Sequence, residues 1–247
     1  MSDSSKLLQK LKEYSNDTLN NILIPSTGKK AKFKNLTIRQ QKNIIKTAGD
    51  GIISGATLNQ AINDIVFETC EDKDIEFSIL DRYPVILSLR VSSIGDEIKI
   101  DDKKISLKDH IADCVDKIKE KEYNPTHECS LSDIKINLKI PSLKRDSAIS
   151  EKFAKNNIKN KSEVGETIAT LYVYEIVKFI STIELGEDVY DFYKMSVLDC
   201  VSIIESLPVS INNEILNYIE SIRAIENLYL ETEFGNIEID AGFFSAA

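Results

Sequence analysis

Hydrophobic positions along this chain recur mostly at helical spacing, with short stretches where the period drops to two. Leu7, Leu11, Tyr14, Thr18 and Ile22 fall three or four apart and predict an amphipathic helix over 5–22. Pro25-Ser-Thr-Gly28 stops it. A short strand is predicted over 31–36. Thr37 is placed to cap a helix over 38–48, and Gly49-Asp50-Gly51 breaks the chain after it. Leu58, Ala61, Ile62, Ile65 and Val66 form the cleanest helical stripe, and residues 83–91 continue as an apolar helical segment.

Beyond residue 94 the texture changes. Residues 97–100 and 104–107, joined at Asp101-Asp102, read as a hairpin, and Ile111, Cys114, Val115 and Ile118 mark a short helix. Ile134, Ile136, Leu138 and Ile140 alternate strictly with polar neighbours, the pattern of a strand with one dry face. Residues 94–142 are therefore expected to form a small ββαβ lobe. From Gly165 the pattern is helical again, with Ile168, Leu171, Tyr172, Ile176, Phe179, Ile180 and Ile183 on one face. Ser196-x-x-Asp199 has the spacing of a capping box. Ile211, Ile215, Tyr218, Ile222, Ile225 and Tyr229 mark a last long helix, read as an ordinary core face, and residues 230–240 read as a hairpin turning at Gly235-Asn236. The expected class is α+β: a mainly helical body with the ββαβ lobe inserted near 94–142 and a C-terminal hairpin. The expected divisions are 1–93, 94–142 and 143–247.

Composition narrows the picture without naming a function. The chain has 247 residues, 42% hydrophobic and 29% charged, which suits a folded protein and is too apolar for disorder. The start lacks an apolar leader, and no apolar run approaches the roughly 20 residues needed to span a bilayer. No membrane association is expected. Four cysteines without framework spacing point to reduced thiols in a cytoplasm-like compartment. The net charge of −9 argues against nucleic acid as a partner. That charge is unevenly placed: residues 1–60 hold 10 Lys/Arg against 4 Asp/Glu, whereas residues 184–247 hold 2 against 13.

Candidate chemistry is sparse. Pro25-Ser-Thr-Gly-Lys-Lys30 lacks the first glycine of a phosphate loop and precedes a strand rather than a helix. The glycines around 49–55 miss the dinucleotide fingerprint by one position. No Gly-x-Ser-x-Gly or Cys-x-x-Cys is present. One cluster stands out, His110-x-x-x-Cys114 followed by His127-x-Cys129. The first pair has the i, i+4 spacing that lets a helix chelate a metal, and the second would project to one side of an extended segment. The alternative makes Cys114 a small core residue and leaves His127 in a loop. The expectation adopted is no catalytic residue, no cofactor and no metal.

Three segments occur in a telling order: Lys32-Phe-Lys-Asn-Leu-Thr-Ile-Arg-Gln-Gln-Lys-Asn-Ile-Ile45, then Leu80-Asp-Arg-Tyr-Pro-Val-Ile-Leu-Ser-Leu-Arg90, then Ile136-Asn-Leu-Lys-Ile-Pro-Ser-Leu143. This arrangement resembles the baseplate hub (plug or hub assembly) proteins of T-even-type contractile-tailed phages. The resemblance implies a non-enzymatic subunit that packs against other hub proteins, in the host cytoplasm during assembly and then in the virion tail baseplate. A hub-assembly chaperone absent from the finished particle is the alternative, with an unrecognised enzyme behind it. Related tail-assembly proteins place a Cys-x-x-Cys knuckle before such a strand, but here Ser132 stands where the second cysteine would be.

The charge gradient suggests how such a subunit would find its place. Lys29, Lys30, Lys32 and Lys34 are expected to face one partner and the acidic C-terminal segment another, since electrostatics acts mainly on association rate and orientation. Phe243 and Phe244 either belong to an apolar tag ordered by a partner or cap this chain's own core.

Overall fold

A computed structural model describes residues 3–17, 19–48, 54–121, 123–160 and 164–245. The predicted break at Gly49-Asp50-Gly51 and the stripe position Thr18 lie outside the described residues, as does the side chain of Tyr14. The chain forms helices with small antiparallel sheets, an α+β fold. It divides into two compact units, one of residues 1–117 with 228–247, the other of residues 118–227.

The first unit begins with helix α1 (Asp3–Asp17). Leu7, Leu8 and Leu11 on it remain exposed. The helix ends earlier than its apolar spacing predicts, because residues 19–24 instead form strand β1 (Leu19–Ile24), antiparallel to β2 (Lys29–Lys34). Ile22 fits both periods. The strand prevails because pairing places Ile22 opposite Ala31 and buries Ile22, Ile24, Ala31 and Phe33 together. Pro25-Ser-Thr-Gly28 is therefore a hairpin loop, with Gly28 at φ +66°.

Thr37 caps α2 (Ile38–Ala48): its Oγ1 accepts from Gln40 N at 3.4 Å, and Gln40 Oε1 accepts from Thr37 N at 2.9 Å. α3 (Ser54–Thr69) buries Ala61, Ile62, Ile65 and Val66, and leaves Leu58 of the same stripe half-buried. A single 3₁₀ turn, Ile79–Asp81, leads into α4 (Arg82–Ser93), which packs on α3 and β1.

β3 (Glu97–Ile100) and β4 (Lys103–Ser106) pair across Asp101-Asp102, both with positive φ (42° and 65°), the pattern of a type I′ turn. L-residues hold that conformation at a cost of about 1–2 kcal/mol, which Asp bears more readily than most and Gly does not incur. Asp102→Gly is expected to stabilise the hairpin by roughly 1 kcal/mol, seen as a higher thermal midpoint. A lowered midpoint would show that the Lys99–Asp102 ion pair (2.8 Å) matters more than the backbone.

Helix α5 (Leu107–Glu120) follows. Residues 94–142, expected as one ββαβ lobe, instead supply two separate sheets: β3–β4 is two-stranded, and the strand at 134 joins a four-stranded sheet. Alternation identifies a strand but not its neighbour, which is chosen by pairing elsewhere in the chain.

In the second unit that sheet runs β5 (Thr126–Leu131), β6 (Ile134–Lys139), β7 (Ile180–Leu185), β8 (Asp188–Asp191), antiparallel throughout. Ile136 and Leu138 are buried, while Ile134 and Ile140 at the strand ends are half-buried. α6 (Leu143–Asn160) and α7 (Val164–Phe179) pack together. The helical face predicted to run on through Ile180 and Ile183 ends at Phe179. Arg145 donates from Nε to Lys178 O (3.0 Å) and from Nη2 to Val177 O (2.8 Å) and Ile180 O (3.1 Å), so the last carbonyls of α7 are satisfied from outside the helix. Residues 180–185 are then free to pair with β6.

Ser196 caps α8 (Val197–Glu205), its Oγ accepting from Asp199 N. α9 (Val209–Asn227) lies on β5 and buries Ile211, Ile215, Tyr218, Ile222 and Ile225 as its spacing predicts. Back in the first unit, β9 (Glu231–Thr232) and β10 (Gly235–Asn236) form the C-terminal hairpin. It turns at Glu233-Phe234, two residues before the predicted Gly235-Asn236, because Thr232 Oγ1 accepts from Phe234 N and donates to Gly235 O.

Candidate functional site

The basic strand β2 carries the lysines singled out from the sequence. Lys29, Lys30 and Lys32 are exposed, beside the half-exposed Leu19 and Leu23 of β1. Lys34 is different: it is half-buried and pairs with Glu71 at 2.6 Å. The Lys34 contact holds the Glu71 carboxyl below the usual glutamate range. Strand alternation explains the split between Ala31 and Phe33, which point to the core, and Lys30 and Lys32, which point to water.

The acidic end presents a second surface in the other unit. The edge hairpin β7–β8 exposes Leu185, Val189 and Tyr190 among Glu187, Asp188 and Glu184. Leu185 and Val189 each leave about half their surface or more in water (47% and 64%), unusual for aliphatic residues at a strand pair.

Phe243 and Phe244 are not an exposed tag. They are 1% and 7% exposed and stack edge-to-face at 5.1 Å. Arg90, fully buried, fastens them: its Nε donates to Phe243 O at 2.9 Å and its Nη2 to Ser245 O (3.0 Å) and Glu97 O (2.7 Å), with Gly95 O bound by Nη1. The guanidinium also lies 6.0 Å from the centre of the Phe243 ring. Burial lowers the Arg90 pKa, yet guanidinium remains charged across the accessible pH range. An internal arginine this well coordinated is a structural clamp, and Phe243 and Phe244 are part of the core.

The two His/Cys pairs do not share a site. His110 Nε2 lies 3.0 Å from Tyr229 O, and Cys114 Sγ donates to Leu228 O at 3.2 Å, so this pair secures the chain leaving α9. Burial pushes the Cys114 thiol up to about 11. In the other unit His127 and Cys129 are two apart on β5. His127 stacks on Tyr218 (centroids 5.4 Å) and its Nε2 lies 3.3 Å from Glu214 Oε1. Cys129 is fully buried, and burial followed by the Glu214 charge pushes its thiol up to about 12. Neither thiol is a nucleophile near neutrality.

In the first two of the segments that carried the resemblance, Gln40, Asp81, Arg82 and Arg90 are buried anchors of the first unit. Gln40 holds the α2 cap and donates from Nε2 to Glu68 Oε2 at 3.0 Å. Asp81 accepts from Ser26 N (2.9 Å), Ser26 Oγ (2.6 Å) and Ser78 N (2.8 Å), joining the β1–β2 loop to the start of α4. Burial raises the Asp81 pKa while these bonds oppose the shift. Arg82 donates to Asn63 Oδ1 at 2.8 Å, linking α4 to α3, and Leu36 N donates to Ser93 Oγ at 2.8 Å. Sequence patterning could flag charged residues inside an apolar run, but not what they hold.

These bonds tie α2, α3, α4 and the β1–β2 hairpin together. The family described as T4 bacteriophage base plate protein matches residues 18–238. The chain belongs to this family. No curated protein and no solved structure matches. The baseplate match takes in both lysine strand and acidic hairpin, and leaves α1 and Phe243-Phe244 outside its bounds. Among the described residues no helix of this baseplate protein is long and apolar enough to cross a membrane.

Proposed function

We propose that this baseplate protein is a structural, non-catalytic subunit of the tail baseplate hub, assembled through contacts with other hub proteins in the host cytoplasm and retained in the virion. The family match over 18–238 carries the baseplate reading. The hub assignment is supported by the order of the three signature segments. Gln40, Asp81, Arg82 and Arg90 in the first two segments serve as internal anchors, which fits a scaffold.

Two surfaces are the proposed contacts. Lys29, Lys30 and Lys32 face an acidic partner surface, with Lys34 contributing mainly to the fold through Glu71. The β7–β8 hairpin docks its Leu185, Val189 and Tyr190 on a partner with a basic rim. Exposed ion pairs stabilise a monomer by only ~0–1 kcal/mol each, so segregated charge acts on encounter rather than on folding. Phe243 and Phe244 are internal and lie outside both surfaces.

Mass spectrometry of isolated tails is the deciding measurement. Recovery of this chain in fixed ratio to other baseplate proteins is expected, whereas recovery from infected lysate alone would identify an assembly chaperone. On the kinetic side, replacing Lys29, Lys30 and Lys32 by Glu is expected to slow association with purified baseplate intermediates about tenfold or more at low salt. The difference should shrink as salt rises from ~0.05 to ~0.5 M, where charges beyond a Debye length are screened. An association rate indifferent to both changes excludes steering by these lysines.

A further inference from the structure

We propose that His127, Cys129 and Glu214 form a binding site for one divalent transition-metal ion, with zinc the best chemical fit. One donor atom from each of the three lies within 4.8 Å of the others. The β5 alternation puts His127 and Cys129 on one side of the strand, and α9, which packs on β5, brings Glu214 to them. Zinc–nitrogen and zinc–oxygen bonds of about 2.0–2.1 Å at tetrahedral angles separate two donors by about 3.3–3.4 Å. His127 Nε2 stands 3.3 Å from Glu214 Oε1.

The cysteine makes this more than a histidine–carboxylate contact. Cys70, Cys114 and Cys200 each donate their thiol to a backbone carbonyl, of Asp72, Leu228 and Phe192. Cys129 makes no such bond among the described residues and sits instead beside an imidazole nitrogen and a carboxylate. The stacked Tyr218 ring fixes the imidazole plane, and Tyr218 Oη is itself tied to Pro125 O at 2.9 Å. A cleft lined by Lys121, Tyr123, Asn124, His127, Glu214 and Tyr218 gives a water access as fourth ligand. Soft thiolate, imidazole and carboxylate together suit zinc over calcium or magnesium, which take oxygen ligands. On binding, the thiol proton passes to solvent and sulfur becomes the metal ligand. This set differs from the four His/Cys residues weighed from the sequence, because Glu214 is 85 positions beyond Cys129 and only folding joins them.

The test uses the full chain, reduced and stripped with chelator, titrated with Co²⁺. Expected are saturation at one ion per chain, a thiolate-to-cobalt charge-transfer band, tetrahedral d–d bands, and displacement of both by Zn²⁺. Cys129→Ser should remove the charge-transfer band. Glu214→Gln should keep it but weaken affinity at least about 10–100-fold, the loss known even for outer-shell partners. Cys114→Ser should change neither, which separates this site from the His110–Cys114 pair. The proposal is overturned by the absence of saturable binding at micromolar Co²⁺, by a band that survives Cys129→Ser, or by one lost in Cys114→Ser. Should Cys129→Ser not fold, unaltered affinity in both Glu214→Gln and His127→Gln overturns it equally, since neither side chain is fully buried.

Discussion

Replacing Lys178 by Met is expected to destabilise the 118–227 unit by about 3–5 kcal/mol, the usual cost of removing one partner from a buried ion pair. Lys178 and Asp146 are 4% and 1% exposed and 2.9 Å apart. The Lys178 ammonium also contacts Glu175, which shares Arg223 with the buried Glu226. Removing the lysine takes from the buried Asp146 carboxylate the ammonium 2.9 Å away. Removing both, as Lys178→Met with Asp146→Leu, should recover most of the loss, because the desolvation penalty of the pair then disappears too. A denaturant midpoint that falls while the slope stays constant reads the effect directly. A single-variant loss below about 1 kcal/mol would mean water reaches the pair.

The same cluster sets an acid limit. Burial alone would raise the Glu175 pKa, but the charges of Lys178 and Arg223 overcome it and hold the carboxyl below its ordinary value. A depressed carboxyl pKa contributes stability that is fully present above the unfolded value of about 4.3 and is lost as pH falls through the folded one. Lys178→Met should therefore move the acid-unfolding midpoint to higher pH. An unmoved midpoint would place the acid sensitivity elsewhere.

Replacing Arg90 by Met is expected to free the C-terminal segment and to cost the first unit about 3 kcal/mol, since hydrogen bonds to a charged group contribute about 1.5–3 kcal/mol and several are lost at once. Met keeps much of the side-chain volume, so the loss reports the guanidinium rather than a cavity. Carbonyls of Phe243, Ser245, Glu97 and Gly95 all lose their donor. Amide exchange at 242–245 should rise to that of a free chain while α3, buried on its own stripe, stays protected. Continued protection of 242–245 would show that the Phe243 and Phe244 rings hold the segment unaided.

The sequence and the structure agree where one face of one element decides the outcome. The α3 stripe, the Thr37 cap, the Asp101-Asp102 turn and the α9 spacing all stand as their local patterns predict. They disagree where an element has to find a partner. Residues 19–24 leave the predicted helix to pair with 29–34, residues 180–185 leave another to pair with β6, and the supposed ββαβ lobe is shared between two sheets. Strand pairing is a contract between segments far apart in the chain, and periodicity within one segment contains no term for it.

The functional residues divide the same way. The exposed lysines of β2 were visible because charge at alternate strand positions faces water whatever the rest of the chain does. Phe243 and Phe244 could be read as tag or core from the sequence, and an arginine more than 150 positions away decided for core. Glu214 gave no local signal of any kind, since one of three glutamates on an amphipathic helix is ordinary. Local sequence determined the class of the elements, their caps and the segregation of charge, because those depend on near neighbours and on solvent. Tertiary structure alone decided which strands pair, which buried charges meet, and which donors converge, because each of those free energies exists only once distant residues have been brought into contact.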